Sequence, residues 1–187
     1  QFKAIFVHNI ETGKSTQLTD GLSDCKSPVW DESGKYLYFL ASTDFGLNTG
    51  WLDMSSYNQP VTRGLYCMVL AKNEPSPLAP RSDDEEEKKE NGKEKKDSTK
   101  VEVVIDFDKI DQRIIALDMP LRDYQGLAEG PKDHVFVWES VPNQDGFTLH
   151  RYSFKDRKAV EFLKPIQFVT TSHDRKSLLY RSGDTWG

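Results

Sequence analysis

The chain has 187 residues, 36% of them hydrophobic and 29% charged, with a formal net charge of −5. That length supports one domain with a real core, and the negative balance argues against nucleic acid or an anionic membrane surface as the main partner. No apolar run approaches the roughly 18 residues that span a bilayer. Two cysteines, Cys25 and Cys67, are too few for a disulfide framework and read as free thiols.

The opening residues, QFKAIFVHNI, have no basic start, long apolar centre or small-residue cleavage site, so they read as a strand rather than a signal peptide. Glu11-Thr12-Gly13-Lys14 is a hairpin-type turn, from which STQLT returns. A strand ending at Trp30 follows, then the turn Asp31-Glu32-Ser33-Gly34, then the strand KYLYFLAS. Gly34 is free to take positive φ there, and Asp31 can accept backbone hydrogen bonds. Residues 43–64 break the rhythm with Gly, Asn, Ser and Pro, yet carry Phe45, Leu47, Trp51, Leu52, Met54 and Tyr57. An ordered loop packing its own aromatics is expected. LYCMVLAK resumes as a strand.

Residues 81–100, RSDDEEEKKENGKEKKDSTK, contain no apolar side chain. Such a stretch cannot bury enough surface to offset its ordering entropy and is expected to be disordered. Strands return around a turn at Asp108-Lys109, then at YQGLAEG and HVFVWES. The hairpin FTLHRYSF–KDRK–AVEFL and the hairpin IQFVTTS–HDRK–SLLYRSG close the chain. No convincing amphipathic helix of three turns occurs. The pattern is all-β, with turns at short spacing.

One phrase repeats. WDESGKYLYF (30–39) aligns with TSHDRKSLLY (171–180), setting Lys35 on Lys176, Leu37 on Leu178 and Tyr38 on Leu179. A worn third copy, AEGPKDHVFV (128–137), places Val135 on those leucines. The last two copies lie about 43 residues apart, the size of one four-stranded propeller blade. A twisted four-stranded sheet has two apolar faces, and blades stacked around an axis bury both. The expectation is therefore a partial β-propeller of antiparallel blades: half, two whole, half. Residues 1–26 end one blade. Residues 27–115 form a second, stretched by the loop at 43–64 and the insertion at 81–100. Residues 116–164 form a third, and 165–187 begin a fourth. The pattern begins and ends mid-blade, so a piece of a longer protein is expected.

The turn motif resembles the propeller repeat shared by TolB, the prolyl-oligopeptidase class and the tricorn protease class. Three longer phrases, PVWDESGKYLYFLASTDFGLNTGWLDMSSYNQPVTRGLYCMVL, VVIDFDKIDQRIIALDMPLRDYQGL and LLYRSGDTWG, resemble tricorn-like peptidases of the S41 group. The resemblance covers nearly the whole chain, which corresponds to the later part of that family's second propeller. It departs from the repeat at His173, where proline is usual, and at Arg175, where glycine is usual. The resemblance implies a non-catalytic propeller that gates unfolded peptides toward a downstream serine-peptidase core. The implied partners are the peptide substrate and the parent's own PDZ-like and catalytic modules, with homo-oligomers possible through the parent. No cofactor is implied, and the family's catalytic residues match no position here. A TolB-like protein-binding scaffold and the propeller of a prolyl-oligopeptidase-type hydrolase stay open as alternatives, as does the compartment.

Read bottom-up, no residue is catalytic, cofactor-binding or metal-ligating. His8, His134, His150 and His173 lack spaced partners for a metal site. Ser172-His173-Asp174 contains triad residue types, but neighbours in one turn cannot build the through-space relay. Asp106, Asp108 and Asp111 lack the glycine and distal glutamate of a calcium loop and read as turn acids. Of the four tryptophans, Trp51, with Tyr57 in the same loop, is the candidate for peptide or partner contact.

Overall fold

The computed structural model describes residues 2–45, 60–80 and 103–187. The acidic stretch 81–100 and most of the loop at 43–64 lie outside the described residues. No α-helix occurs among the described residues.

Four antiparallel sheets follow one another along the chain. Strands β1 (Phe6–His8) and β2 (Ser15–Gln17) form a hairpin. Strands β3 (Asp24–Trp30), β4 (Tyr36–Ser42), β5 (Gly64–Val69) and β6 (Ile114–Ala116) form a four-stranded meander. A second meander takes β7 (Tyr124–Glu129), β8 (His134–Ser140), β9 (Phe147–Ser153) and β10 (Lys158–Ile166). The last sheet has β11 (Phe168–Thr171), β12 (Leu178–Ser182) and β13 (Thr185–Trp186). This last sheet carries one strand more than a half blade. Gly183, at φ 58°, turns the chain so that Thr185 pairs with Ser182 and Trp186 with Arg181.

The repeated phrase builds the same hairpin twice. Trp30 faces Leu37, and Thr171 faces Leu178. Asp31 N–H donates to Tyr36 O at 3.0 Å, and Ser172 N–H to Ser177 O at 2.9 Å. Gly34 has φ 69°, and Arg175, where glycine is usual, adopts φ 57°. The third copy is one residue shorter: Glu129 pairs with Val135, and Asp133 takes the left-handed position at φ 61°. In the neighbouring hairpins, Gly13 (φ 68°) and Arg157 (φ 53°) do the same just before Lys14 and Lys158. A left-handed residue closing each turn suits the right-handed twist of the strands it joins.

The sheets stack face to face. One face of β3–β6 presents Tyr38, Leu40, Leu65 and Cys67 to Leu127, Val137, Tyr152 and Phe154 of the next sheet. Tyr38 stacks on Phe154 with ring centroids 4.8 Å apart. The opposite face presents Leu37, Phe39 and Met68 to Ile5 and Leu18. Phe136, Leu149 and Ile166 meet Val169, Leu178 and Tyr180 of the last sheet. Alternation along each strand assigns these faces. Burying one such side chain contributes about 1.5–3 kcal/mol, so the inter-sheet seams hold the fold. Both cysteines are buried free thiols, and burial pushes each above its ordinary pKa.

Within each complete meander the strands run in sequence order, and β7 lies beside both β3 and β11. The first strands of successive sheets therefore converge on one side. The architecture is a partial β-propeller, and β3, β7 and β11 are its inner strands.

Candidate functional site on the inner strands

Inner strands are where a propeller meets whatever occupies its axis. Here the start of β3 and the start of β7 bring together a polar group. Asp24 and Lys26 come from β3, Arg63 from the residue before β5, and Arg122, Asp123 and Gln125 from the entry to β7.

Backbone bonds hold the two sheets in register at this end. Arg63 N–H donates to Arg122 O at 2.8 Å, and Arg122 N–H donates back to Arg63 O at 3.3 Å. Side chains add to the seam. Lys26 Nζ donates to Gln125 Oε1 at 3.2 Å, and Gln125 Nε2 donates to Asp123 Oδ1 at 2.5 Å. The Arg63 guanidinium is buried between Asp24, at 3.7 Å, and Asp123, at 3.6 Å, and its Nε has no hydrogen-bond partner among the described residues. Both ion pairs are longer than a direct hydrogen bond. Burial, with Arg63 nearby, lowers the Lys26 pKa.

The seam continues outward. Arg122 Nη1 lies 3.1 Å from Glu139 Oε2, and His150 Nε2 lies 2.7 Å from the same oxygen. The Tyr124 ring stands edge-on to His150 at 6.2 Å. Burial, and the Glu139 carboxylate beside it, push the Tyr124 phenol up to about 12. Its hydroxyl stays protonated at neutral pH and donates to Pro120 O at 2.9 Å.

The inner strands themselves are irregular in two of three cases. β3 has a register break between Lys26 and Val29, where Ser27 adopts φ 53° ahead of Pro28. β7 has a break between Tyr124 and Gly126. β11 pairs with β12 without a break from Phe168 to Thr171.

Ser172 Oγ donates to Asp174 Oδ1 at 2.5 Å, which closes the turn, and His173 is exposed beside them. Bonds from Ser172 and Lys176 hold the Asp174 carboxyl below its usual pKa. His8 Nδ1 and Ser15 Oγ lie 2.9 Å apart on the exposed face of the first hairpin. The carbonyls near Asp106 and Asp108 are taken by an arginine: Arg113 donates to the main-chain oxygens of Val69, Leu70, Asp106 and Asp108. The carboxylates of Asp106 and Asp108 accept from Lys72 N–H and Lys72 Nζ. Among the described residues no group of three or more His, Cys, Asp or Glu is placed to hold a metal ion. Trp51 and Tyr57 lie outside the described residues.

Sequence reasoning missed the Arg63 seam. Its members at 24, 26, 63, 122, 123 and 125 are joined only by blade stacking, and no local pattern marks them.

No protein-family model matches the chain, and no curated protein matches it. Among solved structures, the crystal structure of the tricorn protease is similar, with a TM-score of 0.66 and 17% sequence identity. The match covers 98% of this chain and 17% of that one, so the chain spans about a sixth of the protein it resembles. At that identity the likeness is one of fold, and the fold is tricorn-like.

Proposed function

We propose that this chain is a non-catalytic propeller portion of a tricorn-like serine endopeptidase, guiding unfolded peptide toward a catalytic module elsewhere in a longer polypeptide. The observation that carries the reading is the structural likeness to the tricorn protease over 98% of the chain. The arrangement of the inner strands supports it. An axial passage bounded by strand edges and polar side chains suits an extended backbone, whereas a compact small ligand calls for a deep apolar pocket. The groups found there, Lys26, Gln125 and Asp123, are donors and acceptors of the kind a peptide backbone matches whatever its sequence.

The test compares two fluorescein-labelled probes, a short unstructured peptide and a folded domain of similar composition. Saturable anisotropy change with the peptide alone is expected. Preferential capture of the folded domain would make the chain a protein-binding scaffold instead. Peptide hydrolysis by this chain, abolished by a serine-directed inhibitor, would place the chemistry within it and overturn the reading.

A further inference from the structure

The three inner strands differ in whether their free edges can accept another strand. We propose that the inner edge of β11 is the docking site for an extended peptide, which adds as a strand through the backbone groups of Val169 and Thr171. The proposal rests on the peptide-handling reading and names where the peptide is held.

The ladder geometry identifies those groups. Phe168 pairs with Arg181, Val169 with Tyr180, Thr170 with Leu179 and Thr171 with Leu178. Ser172 N–H donates to Ser177 O. In an antiparallel ladder, hydrogen-bonding groups alternate sides every residue. Ser172, Thr170 and Phe168 therefore direct their N–H and C=O toward β12. Val169 and Thr171 direct theirs to the opposite edge, where β11 has no strand neighbour among the described residues. Each offers one donor and one acceptor, so the two present about four backbone bonds.

The edge of β3 is blunted along its length, and that of β7 at its start. On β3 the Cys25 N–H is already given to Lys3 O at 2.8 Å. Farther along, Ser27 bends the strand and Pro28 has no N–H to offer. On β7 the register breaks beside Gln125, and the residue Arg122 ahead of the strand is paired to Arg63, so the strand is regular only from Gly126 to Glu129, where the Glu129 side chain is held by Arg175. Bulges, prolines and covering segments are the means by which sheets keep foreign strands off their edges. From Phe168 to Thr171, and among the described residues, β11 has none of them, and its sequence Phe-Val-Thr-Thr is rich in strand-forming residues.

The molecule also supplies its own precedent. Residue Lys3, from the segment before β1, is seated on the inner edge of β3, its carbonyl accepting from Cys25 and its N–H donating to Asp24 Oδ1 at 3.2 Å. A segment of extended chain on an inner edge is thus compatible with the spacing of these sheets. Strand addition satisfies backbone groups and ignores sequence, which fits a substrate class of mixed, unfolded peptides. Phe168, exposed beside the edge, adds an apolar neighbour for a peptide side chain on that face.

The experiment follows the backbone amides of the 187-residue chain by NMR while a capped, uncharged, unstructured peptide is added. Saturable shifts and slowed exchange are expected at Val169 and Thr171, with smaller changes at Phe168 and Thr170. The same peptide N-methylated at alternate residues should bind at least tenfold more weakly to the unchanged protein. A Thr171→Pro variant, which removes an edge-facing N–H that β12 does not use, should weaken the unmodified peptide to a similar extent. Equal binding of the N-methylated peptide, or perturbation centred away from β11, would overturn the docking site while leaving peptide handling intact. Absence of any perturbation anywhere would overturn both.

Discussion

Gly126→Ala is expected to destabilise the fold because Trp138 occupies the space a side chain needs. Gly126 and Trp138 are direct cross-strand partners on β7 and β8. A Cβ added at Gly126 would lie 2.1 Å from Trp138 Cζ2, 2.6 Å from Cε2 and 2.9 Å from Cη2. Carbon atoms in contact sit about 3.5–4 Å apart, so the indole must move by well over an ångström. It cannot do so freely, because it packs against the cluster of Phe136, Leu149 and Ile166. Overpacking of this kind costs about 1–3 kcal/mol. Replacing a strand glycine returns about 0.5–1 kcal/mol of backbone entropy. The net loss is therefore about 0–2.5 kcal/mol, centred near 1 kcal/mol, and for that central value Tm should fall by about 2–4 °C at the 2–4 °C per kcal/mol typical of this chain length. Urea unfolding followed by circular dichroism measures it directly. Trp138→Leu makes room, so the double variant should be about 1 kcal/mol more stable than the sum of the singles implies. A stabilised Gly126→Ala protein, or strict additivity with Trp138→Leu, would refute the reasoning.

At Arg175 two effects oppose each other. Its left-handed backbone costs about 1–2 kcal/mol, while its guanidinium holds Glu129 at 2.7 Å across the seam between neighbouring sheets. That half-exposed pair contributes about 0.5–1 kcal/mol. Arg175→Gly loses the pair but relieves the backbone and should leave stability near wild type; Arg175→Ala loses the pair and keeps the strain, so chemical denaturation should rank it below the glycine variant. Asp44 supplies a pH test. Burial raises its pKa, but bonds from Ser42 Oγ at 2.5 Å and from Thr62 N–H and Oγ1, at 3.1 and 2.6 Å, outweigh that and hold it below 3.8. A carboxyl whose folded pKa is depressed stabilises above its unfolded pKa and loses that contribution as pH falls through the folded one. Asp44→Ala should therefore be destabilised at neutral pH, with the gap to wild type closing in denaturation series taken below pH 3.8.

The strands and turns were legible because each is written locally. Aromatic and β-branched runs alternate, and the turn phrase at 30–39 returns at 171–180 with the same pairing register. The third copy was legible in its strand, at Val135, but not in its turn, which is one residue shorter and moves the left-handed position to Asp133. Arg175 read as a departure from the repeat; the structure shows that it keeps the glycine-like backbone and uses the side chain to reach Glu129. The inner seam was not legible. Arg63 finds Asp24 and Asp123 only after the sheets stack. The breaks in β3 and β7 were equally hidden: a serine before a proline does not announce a bulge, and Gln125 carries no mark of one. Which inner edges remain straight is thus a property of topology, set by how the strands pair.

Tyr38, Phe136 and Leu179 occupy the same place in three successive sheets, yet the first two are buried and Leu179 is 47% exposed. Among the described residues the middle sheets are each sheltered on both sides, whereas β1–β2 and β11–β13 each pack on one neighbour. Cooperativity in such a stack passes only between adjacent members. Local opening of β11–β13 forfeits one seam, and opening of β7–β10 forfeits two. Within these 187 residues, a strand bound at the inner edge of β11 would therefore raise the unfolding free energy of a sheet held by a single described seam.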